Sequence, residues 1–428
     1  MSYSRKIAAE LLGNVFSNNN FDQAIDLNSN FKKLDSRDKS LVRLIVLTSL
    51  RRHGQIDFII TKFLKSEIKK KNIFIKNLLR SSVAQIIFLN FPEYSVVHSA
   101  VEISKEKGLS KFVNGILRNI CRNKKKVFNL APETINIPSW ISKDIINFFG
   151  GEIFKSIAKN IVNEPFVDIY IKNDFFKKKN WTNVLNGFEI IPQTIRLKNK
   201  GKINTLPYYD CGYWWVQGIS ATIPVRLINS LFPKKKRQTI SVLDVGAAPG
   251  GKSFQLLDSG YNVTSIDKSP ERISRFKENL DRLELKPKII CDDINNYKSD
   301  YSYDCILIDA PCSASGLIQK KPDILVSNKI GELKKIEGDQ IQILKSCSKI
   351  LKRGGYLIYS VCSIISNEGI AQIKEFLKEN NNFSLVKIKN NFQNVCKNYN
   401  DFYFISTPID LAKFGGADGF FSVCLKKI

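Results

Sequence analysis

The sequence predicts an α/β domain of the doubly wound type, preceded by an all-α bundle and a small α+β unit. Three observations carry this. From Thr239 onward, short β-branched runs alternate with helical stretches, the pattern of βαβ units on a parallel sheet. Residues 1–125 place apolar side chains at helical spacing throughout. Between them, strand-like runs at 166–172 and 189–197 stand in a mixed stretch. At 428 residues the chain exceeds one typical domain, and these shifts divide it into 1–126, 127–205 and 206–428.

In the first segment Ile7, Leu11 and Val15 share one helix face, and Leu41, Leu44, Ile45 and Thr48 another. Asp35 and Ser36 precede the latter and can cap it. Further helices are expected near 56–64, 73–89, 96–107 and 111–121. Turn signals at Asn18-Asn19-Asn20, His53-Gly54, Asn90-Phe91-Pro92 and Gly108 divide them. His53 and His98 read as structural side chains rather than ligands. The run 123–126, Asn-Lys-Lys-Lys, with Pro132 and Pro138 reads as a linker. The run 233–238, Pro-Lys-Lys-Lys-Arg-Gln, reads as a charged loop, either a solvated turn or a polyanion contact. In the last segment strands are expected at 241–245, 263–267, 288–291, 304–309 and 356–360, with helices at 252–257, 270–283 and 339–351. In such a sheet the ligand sits beyond the carboxyl ends of the strands.

Apolar residues make up 43% of the chain and charged residues 25%, ordinary globular values that allow a sizeable core and exclude wholesale disorder. No apolar run approaches a membrane span. The N-terminus shows no apolar core with a cleavage site behind it, so a cytoplasmic protein is expected. Lys and Arg number 66 against 40 Asp and Glu, a formal net charge of +26. Such a surplus attracts polyanions and argues for a nucleic-acid partner. Compositional drift in a Lys-, Asn- and Ile-rich chain is the plainer alternative. The nine cysteines are odd in number, scattered and without a C-x-x-C pair, which argues against a disulfide framework or zinc knuckle. Reduced thiols and no metal site are expected.

The run from Asp244 to Lys252 follows the first strand and opens a helix. Its residues Gly246, Ala247, Ala248, Pro249, Gly250, Gly251 and Lys252 form a loop whose glycines let the backbone pass close to a ligand. The spacing is neither G-x-G-x-x-G nor a P-loop. The next strand ends at Asp267, placed to accept both ribose hydroxyls of an adenosine. Asp293, with Asp292 as the one-residue alternative, follows the third strand and could accept from an adenine amino group. These carboxylates in strand order point to an S-adenosylmethionine (SAM) or nucleotide site.

Two further strands end in Asp309-Ala-Pro-Cys312 and Tyr359-Ser-Val-Cys362. Singly, each cysteine reads as a buried structural thiol. Paired around a SAM site, they suit methylation of cytosine at carbon 5 in RNA. Carbon 5 is a poor nucleophile; a thiolate adding to carbon 6 pushes electron density onto it. The carbon-5 proton must then leave and the thiol be expelled, so a second group can assist. Asp309 is placed to hydrogen-bond the base at N3 and its amino group. The SAM sulfonium, Lys252 and Lys321 would favour the thiolate. The target base must be unstacked or single-stranded. This chemistry leaves open which cysteine attacks.

These strings resemble the RNA 5-methylcytosine methyltransferases of the RsmB/Sun (NOL1/NOP2/Sun) family. The run 112–118, Phe-Val-Asn-Gly-Ile-Leu-Arg, resembles the end of the NusB-like RNA-binding domain fused to the catalytic domain in the bacterial member acting on small-subunit rRNA. Pro138-Ser-Trp140 resembles that family's entry into the small domain, and the run 417–421, Ala-Asp-Gly-Phe-Phe, its closing strand. The resemblance implies a Rossmann-like SAM-dependent methyltransferase domain at 206–428, an all-α NusB-like bundle at 1–126 and a small α+β RNA-binding or linker domain at 127–205. It implies that Gly246–Lys252, Asp267, Asp293 and Asp309 contact SAM, that Cys362 is the nucleophile and that Cys312 helps product release. Val361 stands where the family usually has Thr, Gly218 where Asp is common, and Gln319-Lys-Lys where Arg-Arg-His is usual. The chain is expected to be a monomer whose partner is 16S rRNA, free or in an assembling small subunit, and neither DNA nor a membrane. A transfer-RNA methyltransferase of the same chemistry and a non-catalytic RNA-binding assembly or transcription factor are the alternatives.

Overall fold

The computed structural model describes residues 2–17, 20–199, 201–327, 330–388, 395 and 401–428. Asn18 and Asn19 of the first turn signal, and Cys396, lie outside the described residues. Two compact units form, residues 1–163 with 318–329, and residues 164–317 with 330–428.

The first unit is helical. Its helices include Ser2–Phe16, Phe21–Leu27, Ser36–Arg51, His53–Thr61, Ile73–Val83, Glu93–Lys105, Ser110–Arg122, Ser139–Phe149 and Gly151–Ile161. Asp35 caps the Ser36 helix, accepting from the Asp38 N–H at 2.7 Å, which satisfies an N–H that has no partner within the helix. Ile7, Leu11, Val42 and Ile45 bury in one apolar cluster. Ile59, Leu79, Val83, Val96 and Ile120 form another. The run read as a linker begins a short helix instead, Lys124–Asn129, because Val127 seats in the second cluster. Residues 318–329 complete this unit. Val326 packs on the first cluster, and the Arg51 guanidinium donates to the Gln319 carbonyl at 3.1 Å.

The second unit holds two sheets. The smaller has strands β1 (Asp168–Ile171), β2 (Gly187–Ile191), β3 (Thr194–Leu197) and β4 (Trp214–Val216) in the order β2-β3-β1-β4, and each of its pairings is antiparallel. The single strand expected at 189–197 is two strands, because the chain turns at Gln193, whose φ is +70°. The larger sheet has β5 (Ser241–Val245), β6 (Asn262–Asp267), β7 (Lys288–Cys291), β8 (Tyr303–Asp309), β9 (Leu351–Val361), β10 (Phe383–Leu385), β11 (Tyr403–Ser406) and β12 (Phe420–Lys427). Its order is β10-β12-β9-β8-β5-β6-β7, with β11 also on β12. Strands β5 to β9 run parallel, and β12 lies antiparallel to β9. This is the Rossmann-like architecture expected, with a mixed edge. The chain steps outward from β5 to β6 and β7, then returns to the other side of β5 as β8. That reversal opens a crevice beyond the carboxyl ends of β5 and β8, where open α/β sheets bind ligands. The charged run after Pro233 coils into a short 3-10 turn, Lys234–Thr239, whose Arg237 donates to the Asn229 and Phe232 carbonyls.

A buried ion pair within the smaller sheet ties it to the loop before β12 and to the helix that follows β4. Arg196 of β3 donates from Nε and Nη2 to the Asp168 carboxylate at 2.7 and 3.1 Å, with both side chains essentially inaccessible. Nη1 of Arg196 reaches the carbonyls of Phe414 and Gly416, while Asp168 accepts the Ile219 N–H, which opens the helix Ile219–Leu231. Removing one partner of such a pair leaves a charge uncompensated. Arg196→Met should therefore lower stability by about 3–5 kcal/mol, read as a fall in the urea midpoint. Asp168→Asn in the same chain should restore part of the loss.

Asp244 of β5 is fully buried. Ser253 Oγ donates to its Oδ2 at 2.5 Å, and Oδ1 has no partner among the described residues. Burial pushes its carboxyl up to about 7 from the ordinary 3.8. The folded state then holds a proton the unfolded chain has released, so this group's stabilisation is complete below 3.8 and is lost as pH rises through about 7. Asp244→Asn should shrink the fall in urea midpoint between about pH 5 and about pH 8, since nothing remains to ionise. Equal falls in both proteins would refute a protonated Asp244.

Candidate active site

The crevice is a cavity of about 410 Å³ lined by the ends of β5, β6 and β8 and the turns beyond β7 and β9. Strand register sets its floor. Asp309 at the end of β8 pairs with Ser360 of β9, so the chain emerges from both strands side by side. Cys312 and Cys362 follow within a few residues, and their sulfurs lie 3.4 Å apart, both half-buried and both on the cavity. The two turns are also pinned through backbone, since Gly316 N–H donates to the Cys362 carbonyl at 3.1 Å and Gly419 N–H to Gly316 O at 2.8 Å. A Cβ on Gly316 would lie 1.8 Å from the Gly419 oxygen, so this crossing admits no side chain.

On β5's side the chain turns at Gly246 with φ +76°, and a Cβ there would stand 2.5 Å from the Asp309 carbonyl oxygen. Gly246 lines the cavity. Ala247 and Ala248 are buried beside it, Pro249 is exposed, and Gly250 and Gly251 lead into the helix Gly251–Asp258. Gly246 and Ala247 donate to the Ile266 carbonyl, which ties the loop to β6. Lys252 leaves that helix to pair with Asp309, Nζ to Oδ2 at 2.7 Å. Burial opposes its charge, but the Asp309 carboxylate more than offsets that and the net direction is up. Lys252 is therefore an ammonium held in the protein interior beside Asp309 and within the field of Cys362.

Asp267, at the end of β6, is buried and accepts the N–H groups of Ala248 at 3.1 Å and Ser269 at 3.0 Å. Asp293, half-buried, accepts the Asn295 N–H at 2.9 Å, and exposed Asp292 also lines the cavity. The site thus gathers Asp267, Asp292, Asp293, Asp309 and both cysteines on one cavity. Lys321 is exposed and does not line it, because its segment packs within the first unit. Residue-by-residue reading missed Arg272, which pairs with Asp267 at 3.2 Å and also donates to the Ala248 carbonyl. It missed Asp339 on the cavity and buried Glu368 beneath it. Only the position of Arg272 in the first turn of the helix after Asp267 hinted at its place.

The cysteines are not equivalent. The hydrogen bond with Cys362 raises the Cys312 thiol well above its ordinary range, and burial and the Glu368 charge add to this. Cys312 accordingly keeps its proton. The cavity's chemistry fits SAM: its carboxylates can accept from the hydroxyl and amino groups of an adenosine, the Gly246 turn carries no Cβ, and its excess of negative groups suits a cationic sulfonium.

Comparison with known proteins agrees with this geometry. Residues 230–426 match the family described as 16S rRNA methyltransferase RsmB/F, and residues 2–122 match the NusB family. Ribosomal RNA small subunit methyltransferase B of Shigella flexneri is 28% identical over 366 residues, covering 81% of this chain and 83% of that protein. The crystal structure of PH0851 superposes with a TM-score of 0.76 at 19% identity, covering 100% of this chain and 99% of that one. The crystal structure of NSun6 from Pyrococcus horikoshii with SFG gives 0.56 at 18% identity, covering 68% and 98%. These two likenesses concern the fold. With a matching catalytic domain, a matching N-terminal domain and a relative spanning most of the chain, the protein is a SAM-dependent RNA methyltransferase whose residues 230–426 match the RsmB/F family and whose residues 2–122 match the NusB family.

Proposed function

We propose that the chain methylates carbon 5 of a cytosine in 16S rRNA through a covalent adduct between Cys362 and carbon 6. The observation that carries this is the pair of sulfurs 3.4 Å apart on the cavity, with an ammonium on the Cys362 side and a proton retained by Cys312. Asp267 would hold the ribose of SAM, Asp293 its adenine and the Gly246 turn its backbone-facing edge. When bound, SAM supplies an electrophilic methyl group.

The steps then fall to the chain's own side chains. Cys362, as thiolate, adds to carbon 6, and the carbon 5–carbon 6 π pair moves to carbon 5. Asp309, braced by Lys252, accepts from the amino group of the base, and the ammonium offsets charge developing on the ring. After carbon 5 is methylated, its proton leaves to solvent and the carbon 6–sulfur bond breaks. The Cys312 thiol, hydrogen-bonded to the departing sulfur, stabilises the thiolate as it leaves. A thiol that holds its proton suits that role and not attack. In this reading the two cysteines take separate duties, which the sequence chemistry left open. In this reading residues 1–126 and 127–205 bind and present RNA, and 206–428 carry the chemistry.

Purified protein with labelled SAM and small-subunit rRNA lacking the modification should yield 5-methylcytosine. Label appearing only with transfer RNA would instead favour that substrate, and no label with folded protein would sink the enzymatic reading. Cys362→Ala should cut turnover on the order of a thousandfold or more. Cys312→Ala should accumulate a protein–RNA adduct that survives denaturing electrophoresis. An adduct from Cys362→Ala would reverse the two roles.

A further inference from the structure

Glu368 has no exposed surface and, among the described residues, no ion-pair partner. It lies after the turn that follows Cys362, in the short 3-10 segment Ser366–Glu368. Its Oε1 accepts the Ser313 N–H at 2.6 Å, and its Oε2 accepts the Ser313 hydroxyl at 2.6 Å and the Ser363 hydroxyl. Ser313 and Ser363 are the residues directly after the two cysteines. Each hydroxyl oxygen is satisfied in turn. Ser363 Oγ accepts from the Ile365 N–H and from Ser315 Oγ at 2.8 Å, Ser315 Oγ accepts the Ile364 N–H, and Ser313 Oγ accepts the Ser315 N–H. Ordered this way, the Ser313 and Ser363 hydroxyls both donate to Glu368, whose two oxygens act as acceptors.

A buried carboxylate without a cation is expensive, and two loops could be joined by apolar packing or neutral hydrogen bonds alone. We propose that Glu368 is a positioning residue for the methyl-transfer site, its carboxylate gripping the residue after each cysteine and so setting the Cys312–Cys362 pair. The charge has a second effect. Glu368 bears on the Cys312 side of the pair, and the Lys252 ammonium on the Cys362 side. The Glu368 charge helps hold the proton on Cys312, whose thiol is raised well above its ordinary range. The other titratable groups facing the pair are Asp309, which is paired with Lys252, and Tyr359, whose hydroxyl stays protonated through burial and donates to the Glu368 carbonyl at 2.8 Å. Asp309, on the run leading to Cys312, is matched by the Lys252 ammonium, and Tyr359 carries no charge.

This inference rests on the two-cysteine reading, so its test has a readout independent of turnover. Glu368→Gln keeps the size of the side chain and removes the charge. In the Cys362→Ala background, alkylation of Cys312 by iodoacetamide, followed by peptide mapping across pH, should shift to lower pH when Glu368→Gln is added. In the otherwise wild-type chain, Glu368→Gln should lower kcat at least tenfold with KM for RNA and SAM affinity little changed, and should move the pH profile of kcat. Coincident alkylation profiles together with wild-type kcat would overturn the proposal. An inactive wild-type enzyme with a shifted alkylation profile would instead defeat the two-cysteine chemistry and leave the role of Glu368 standing. Should Glu368→Gln fail to fold, Ser313→Ala removes one hydroxyl grip and keeps the charge. A fall in kcat at constant KM would then support the proposal, and an unchanged kcat would overturn it.

Discussion

The register between β8 and β9 is the constraint on which the site depends. Asp309 opposite Ser360 brings two loops from distant parts of the sequence out of the sheet at one level. A slip of one residue would turn every side chain of β9 to its other face, burying Cys362 on the wrong side and parting the sulfurs. Several interactions defend that register. The Ser360 hydroxyl donates to the Ile308 carbonyl, β12 covers the outer edge of β9 over six pairs, and the Gly316–Gly419 crossing ties the loops where they leave the strands. The hydroxyl network around Glu368 closes the same joint from beneath.

The cavity also resolves a conflict of charge. The chain carries a formal surplus of +26, suited to a polyanion, yet its cofactor is a cation. Carboxylates are therefore concentrated where SAM fits: Asp267, Asp292, Asp293, Asp309 and Asp339 all line one cavity. In the proposed chemistry the ammonium of Lys252 is the counterweight on the cysteine side, beside Asp309. Local sign, not net charge, decides what binds at each point, because a crevice with low-dielectric walls focuses the field of its own lining.

Much of the second unit was legible because β-branched runs of five or six residues between glycine and aspartate turns leave few alternatives. Strands β5 and β7 begin and end where the pattern places them, and β6, β8 and β9 overlap their expected runs. The loops at their ends follow from the strands, which is why Gly246, Asp267, Asp309, Cys312 and Cys362 could be named. What escaped depends on contacts that sequence spacing does not encode. Glu368 looks like a solvated loop charge until register brings Ser313 beneath it. Lys321 looks like a neighbour of Cys312 along the chain, yet its segment packs in the other unit. The hairpin at Gln193 hid inside one apolar run because its turn has no glycine. Val127 alone turned an apparent linker into a helix.

The division of the chain into units has a consequence for how it is made. Residues 318–329 complete the helical unit, and the hydrogen bond from Arg51 to Gln319 closes a separation of 268 positions. The helical bundle is encoded first but cannot finish until half the strands of the catalytic sheet have left the ribosome. Contacts this far apart in sequence slow folding, because the intervening chain must be ordered before they bring any stabilisation. A nascent chain therefore waits for Val326 to pack on the first apolar cluster while β5 to β8 are synthesised, and the order of birth of the two units is not the order in which they close.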